Sequence, residues 1–162
     1  MKYQIVVFPN GVMVDVYGPE GGRESDIDLL RLSDLDSRLE PLCQDGDTTW
    51  FVYGDPAYSF SGARYVIGPY RLANPTPEQE HYNTLMSSVR VSVENAIGSI
   101  TNKWCALDFI RQEKTGWSAV GLKYLVAVIL SNFMTCMRGG NQISTMFGVR
   151  PPSLEGFLGN EN

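Results

Sequence analysis

Two carboxylates stand in settings that suit chemistry. Asp55 closes a β-prone run within Gly54-Asp55-Pro56-Ala57-Tyr58, and Glu94 sits well inside a long amphipathic stretch. Acidic side chains brought together repel and raise each other's pKa unless a cation neutralises them. A divalent ion held by such a pair can activate water and stabilise the charge of a phosphoryl transition state, so phosphodiester chemistry suits the pattern. The chain has one histidine, His81, and three cysteines without a Cys-x-x-Cys spacing. Any metal would therefore need oxygen ligands, which favours magnesium or manganese over zinc. Spacing alone is a weak signal, because eighteen acidic residues offer many pairs. An Asp-Pro turn for Asp55 and a solvated helix-rim position for Glu94 are the plain structural readings.

The elements that must position these groups can be read from local pattern. Residues 77–104 form a predicted helix: Thr76 is a natural N-cap, Pro77 suits the first helical position, and Gln79 completes a capping box. Tyr82, Leu85, Met86, Val89, Val93, Ala96, Ile97, Ile100 and Trp104 recur at three- and four-residue spacings, giving one apolar stripe. Glu94 falls roughly 110° from the centre of that stripe, at its rim beside Arg90 and Thr101. Residues 49–53 read as a buried strand that Pro56 cannot continue. The end of an α/β sheet strand is where such folds place their chemistry.

Elsewhere, residues 2–8 and 12–17 read as a hairpin about Pro9-Asn10-Gly11, with Asp15 interrupting the second strand. Residues 18–22 read as a glycine-rich loop. Ser25 caps a helix reaching about Leu32, and Leu35, Leu39 and Leu42 suggest another helical turn or two. Tyr65-Val66-Ile67 is extended, and residues 105–110 also read as extended. Ser118 caps a last helix that stops at Gly139-Gly140. The pattern predicts one domain over residues 1–140 and an irregular tail over 141–162.

Composition narrows the classes further. A 43% apolar and 19% charged chain of 162 residues is ordinary for a folded protein. An odd number of cysteines without paired spacing fits a reduced, intracellular chain. The apolar run 119–137 contains Lys123, Ser131, Asn132 and Thr135 and reads as a core helix rather than a membrane span. A net charge of −5 does not suit gripping nucleic acid by charge alone; residues 20–55 hold ten acids against three arginines. There is no phosphate-binding loop, dinucleotide fingerprint, nucleophile elbow or metalloprotease signature.

An ordered set of motifs is more specific. Gly54-Asp55-Pro56-Ala57-Tyr58, Pro69-Tyr70-Arg71, Thr76-Pro77-Glu78 and the run from Ser88 to Gly98, followed by Leu130-Ser131-Asn132, resemble the nuclease domain of PIF/Harbinger-type transposases. This is the DDE superfamily endonuclease group, and the resemblance covers about residues 3–138. It implies an α/β, ribonuclease H-like fold, a mixed sheet with flanking helices, in which three carboxylates hold two divalent metals for cutting and joining DNA. By match, Asp55 is the second carboxylate and Glu94 the third. Arg90 would orient Glu94, meet a DNA phosphate, or form a plain helix-surface ion pair. Lys103 is a candidate phosphate contact beside the simpler reading of a surface lysine.

Two departures qualify the match. The family's first catalytic Asp lies on a central strand before the hairpin at residues 2–17, so that carboxylate is expected to be absent and the fold incomplete. Asp15 lies on a different strand and is no replacement. The family commonly has Leu-His-Asn where this chain has Leu130-Ser131-Asn132. The expectations are a piece of a magnesium- or manganese-dependent DNA endonuclease, inactive alone, or a domesticated, non-catalytic remnant that binds a protein. The resemblance further implies nuclear residence and a separate Myb-like DNA-binding partner. Unpaired strand edges would favour self-association.

Overall fold

The computed structural model describes residues 1–104, 107 and 119–159. The architecture is mixed α/β, with helices and three small two-stranded sheets among the described residues. The chain divides into two compact units: Met1–Gln4 with Tyr17–Val91, and Ile5–Val16 with Ser92–Asn162. Strand β1 (Lys2–Val7) pairs with β2 (Met13–Glu20) as the predicted hairpin. Strand β2 runs on to Glu20, into the 18–22 segment expected to be a loop.

The first unit begins its helices where the local sequence signals place them. Helix α1 (Asp26–Leu32) is capped by Ser25, whose hydroxyl accepts the Asp28 N–H, and it buries Leu29 and Leu30. Ser33 then does three jobs in a buried position: its hydroxyl donates to the Leu30 carbonyl and accepts from both Gln4 Nε2 and the Leu35 amide. Helix α2 (Leu35–Cys43) follows through Asp34, at a left-handed φ of 50°. It buries Leu35, Leu39 and Cys43. A small hairpin of β3 (Gln44–Asp45) and β4 (Thr48–Thr49) turns at Gly46, whose φ of 57° favours glycine.

The expected continuous buried strand over residues 49–53 is not formed. Thr49 ends β4, while Trp50 and Phe51 are 61% and 52% exposed. Only Val52–Tyr53 make β5, parallel to β6 (Val66–Ile67) with Val52 opposite Val66. The reason is a change of partner within the run. The Trp50 N–H bonds the Cys43 carbonyl, whereas the Val52 and Gly54 N–H groups bond the Tyr65 and Ile67 carbonyls. A strand that switches ladders midway cannot bury one continuous face.

Helix α3 (Pro77–Lys103) starts as predicted. The Thr76 N–H donates to Gln79 Oε1 at 2.8 Å and the Gln79 N–H to Thr76 Oγ1 at 3.4 Å, completing the capping box. Its apolar stripe is only partly used: Leu85 is 53% exposed, and the buried positions are Ser92, Ala96 and Ile100. All three buried positions belong to the second unit.

In the second unit, α4 (Val120–Met137) buries Tyr124, Ala127, Val128, Ser131, Asn132, Thr135 and Cys136 at helical spacing. It stops at Gly139, φ 69°, where the Gly140 N–H returns to the Thr135 carbonyl. The stretch expected to be irregular instead forms α5 (Gln142–Phe147) and α6 (Leu154–Phe157). Asn141 and Ser144 cap α5 reciprocally, and Gly148 closes it at φ 66°. A ring contact at 5.9 Å joins Phe133 to Phe157. The expected Ser118 cap, and all of the 105–110 extension except Leu107, lie outside the described residues. Among the described residues, no helix is long and apolar enough to cross a membrane.

Candidate functional site

Asp55 leaves β5 and caps the 3-10 helix Pro56–Phe60. Its backbone is extended, as the following proline requires, and its Oδ1 accepts the Ala57 N–H at 2.9 Å. Close packing fixes this turn. A Cβ at Gly54 would collide with the Tyr58 ring, and one at Gly68 would come within 2.7 Å of the Ser59 amide nitrogen. Larger residues at either position would push the turn, and with it the carboxylate, out of place.

The second oxygen of Asp55 faces Arg90, with Oδ2 3.6 Å from Nη1. Both side chains belong to the first unit and are about half exposed, so the pair contributes at most about 1 kcal/mol to stability. Its effect on local charge is more informative. Burial, then the charges of Asp26 and Asp55, push the Tyr58 phenol up to about 12. Burial and Tyr82 also raise the Tyr53 phenol, and Arg90 partly offsets that rise.

Glu94 is exposed on α3, between buried Ser92 and Ala96, and belongs to the second unit. Lys103 is exposed at the last position of the same helix. It lines a notch of about 220 Å³ together with Arg138 and Gln142. Of the four residues singled out in the sequence, the structure therefore joins Asp55 and Arg90 in an ion pair.

Sequence reasoning missed two features. Asp36 accepts the backbone N–H groups of Arg64 and Tyr65 at 2.8 and 2.7 Å, holding the lead into β6. Asn132 takes both backbone groups of Met13: its Oδ1 accepts the N–H at 3.0 Å and its Nδ2 donates to the carbonyl at 2.8 Å. Neither pairing has a local sequence signal, since both join residues far apart along the chain. Asn132 falls within the Leu130-Ser131-Asn132 motif, whose serine accepts the Trp104 indole N–H at 2.9 Å.

The DDE superfamily endonuclease family matches residues 1–139, and the chain belongs to that family. No curated protein and no solved structure matches it. DDE endonucleases generally work with divalent metal ions. Among the described residues, no three His, Cys, Asp or Glu side chains come together as ligands. Both oxygens of Asp55 already have partners. The described residues do not by themselves make a closed site for such an ion.

Proposed function

We propose that the chain is the Asp55- and Glu94-bearing part of a transposase-type DNA endonuclease of the Harbinger type, with a ribonuclease H-like core. Asp55 and Glu94 would supply two of its metal ligands, and magnesium or manganese would be the ion. A bound divalent ion offsets the repulsion of the carboxylates and stabilises charge on the phosphodiester. The chain's own contribution is positional. Asp55 is aimed by the Ala57 N–H and by two tight glycine contacts, and Arg90 keeps its second oxygen paired until a stronger cation arrives. Lys103 would meet a DNA phosphate, a Myb-like protein would bring the DNA, and the cell nucleus would be the site of action. The observation that carries this reading is the family match across residues 1–139, with Asp55 fixed at the end of a parallel strand pair.

Manganese titration tests it, because the paramagnetic ion broadens nuclear resonance signals near its site. Selective broadening around Asp55 and Glu94, lost in Asp55→Asn, supports the assignment. Uniform broadening across the acidic residues 20–47 would sink it. The isolated chain is expected not to nick supercoiled plasmid, since the described residues supply an incomplete ligand set. Magnesium-dependent nicking that disappears in Asp55→Ala would overturn that expectation.

A second reading is a non-catalytic protein-interaction module, self-association included. The occupied oxygens of Asp55 and the acidity of the first unit favour it. Sedimentation of the pure chain would detect self-association directly.

A further inference from the structure

Beside the Asp55 turn, the first unit holds an open cleft of about 430 Å³ walled by the 3-10 helix, β6 and the segment leading to α3. Its volume lies in the range of about 300–1,000 Å³ typical of ligand sites. Aromatic side chains are more often core, but here they are not. Phe60 is 66% exposed and Tyr70 49%, and both line the cleft with Arg71.

Tyr70 is exposed yet held. Its backbone N–H donates to Asn83 Oδ1 and its carbonyl accepts from Asn83 Nδ2, each at 2.9 Å. Its ring packs on Tyr82 at 5.4 Å and 68°, an edge-to-face contact that leaves at least one Tyr70 face uncovered by Tyr82. The side chain is thus fixed before any ligand arrives, which lowers the entropy cost of binding.

The charges select the ligand. The first unit holds twelve acids and seven cations, yet no acid lines the cleft. Among the described residues, the Arg71 guanidinium has no hydrogen bond or ion pair. A double helix is gripped mainly by many cations on many phosphates, which a unit of net −5 cannot offer. An unpaired strand instead binds through base faces stacked on aromatic rings, with few charge contacts.

We propose that this cleft is a stacking site for an unpaired base of a nucleic-acid strand, with Phe60 and Tyr70 as platforms and Arg71 meeting the adjoining phosphate. The idea rests on the endonuclease reading for its ligand class, and its geometry does not involve a metal. The test is fluorescence anisotropy of the 162-residue chain with labelled decathymidylate in excess EDTA. The oligonucleotide should bind, and Phe60→Ala and Tyr70→Ala should each weaken it roughly tenfold. Tyr70→Trp should preserve binding. Arg71→Gln should flatten the plot of log affinity against log salt by about 0.7, the value for one phosphate contact on a single strand. Arg23→Ala, removing a cation outside the cleft, should change nothing.

Absence of binding would overturn the proposal. So would insensitivity to both aromatic variants, equal affinity for duplex of the same length, or tighter binding of a proline-rich decapeptide at the same residues. Because EDTA removes any metal, failure of the Asp55–Glu94 assignment leaves this result intact. Failure here leaves the manganese titration intact.

Discussion

The two compact units share carboxamide clamps on their backbones, but the first adds carboxylates to them. In the first, carboxylates serve as acceptors: Asp36 takes two amides before β6, and Asp55 takes one at the 3-10 helix. Carboxamides work in both units: Asn83 holds both backbone groups of Tyr70 in the first, while in the second Asn132 clamps Met13 and Asn141 donates to the Gly11 carbonyl while capping α5. The charge is also unevenly divided. The first unit carries twelve acids against seven cations and the second six of each, so the net −5 resides wholly in the first. A carboxamide satisfies a backbone group without carrying charge. A carboxylate does the same job and remains open to competing cations, which a candidate metal-handling region needs.

The largest effect should come from the carboxamide side. Asn132 is 4% exposed, and Asn132→Leu would leave the Met13 N–H and carbonyl unpaired. Each lost buried partner costs about 1–3 kcal/mol, so a loss of about 2–6 kcal/mol is expected for the two. Urea unfolding would show it as a lower midpoint. An unchanged midpoint would mean that the Asn132 clamp carries little of the unit's stability.

The carboxylate side should respond less. Asp36→Ala removes two charge-assisted bonds at a half-buried site where water can partly replace them. A loss of about 1–2 kcal/mol is expected, with faster amide exchange at Arg64 and Tyr65. Equal or larger destabilisation than for Asn132→Leu would reverse the ranking of the two chemistries.

Much of this layout is readable in sequence where the cause is local. Ser25, Thr76 with Gln79, and Gly139 mark helix ends by chemistry confined to a few residues, and the structure has those ends. The extended backbone at Asp55 follows from Pro56 next to it. What failed depended on distant partners. The 49–53 run has the composition of one strand, but Cys43 and Tyr65 divide it between them. Leu85 belongs to the helical stripe, yet it is 53% exposed while Tyr82 packs on Tyr70, and nothing in the local pattern says which stripe positions find a partner. Arg90 illustrates the same limit at the candidate site. Its guanidinium meets Asp55, thirty-five residues away, a partner that no local spacing announces.

Alkaline titration sharpens the contrast through Tyr58. Its folded pKa of about 12 lies above the ordinary value of 10, through burial and then the charges of Asp26 and Asp55. Between those values the folded state keeps a proton that the unfolded chain has lost. Stability is therefore fully present below pH 10 and falls as pH rises toward 12. Ultraviolet titration should show a last-ionising tyrosine near pH 12 that is absent in Tyr58→Phe, and that variant should lose the corresponding part of the alkaline slope. A Tyr58 that ionises with the exposed tyrosines would remove the basis for this trend.

The smallest change in stability, and the most direct probe of the difference, is Arg90→Gln. The Asp55–Arg90 pair is half exposed, so its removal should alter stability by at most about 1 kcal/mol. The ligand properties of Asp55 should change more. Oδ1 stays bound to the Ala57 amide, but Oδ2 loses the cation 3.6 Å away and becomes available to a divalent ion. Manganese should then bind at Asp55 severalfold more tightly, read as broadening of the Ala57 amide signal, with Asp55→Asn as the control. The Tyr53 phenol should move the other way from any gain in positive charge: without Arg90 its pKa rises further, because the one lowering influence on it is gone. If manganese affinity falls instead, Arg90 organises the carboxylate for the ion rather than occupying its place. No manganese broadening at Ala57 in either form would mean that the Asp55 carboxylate serves the backbone alone.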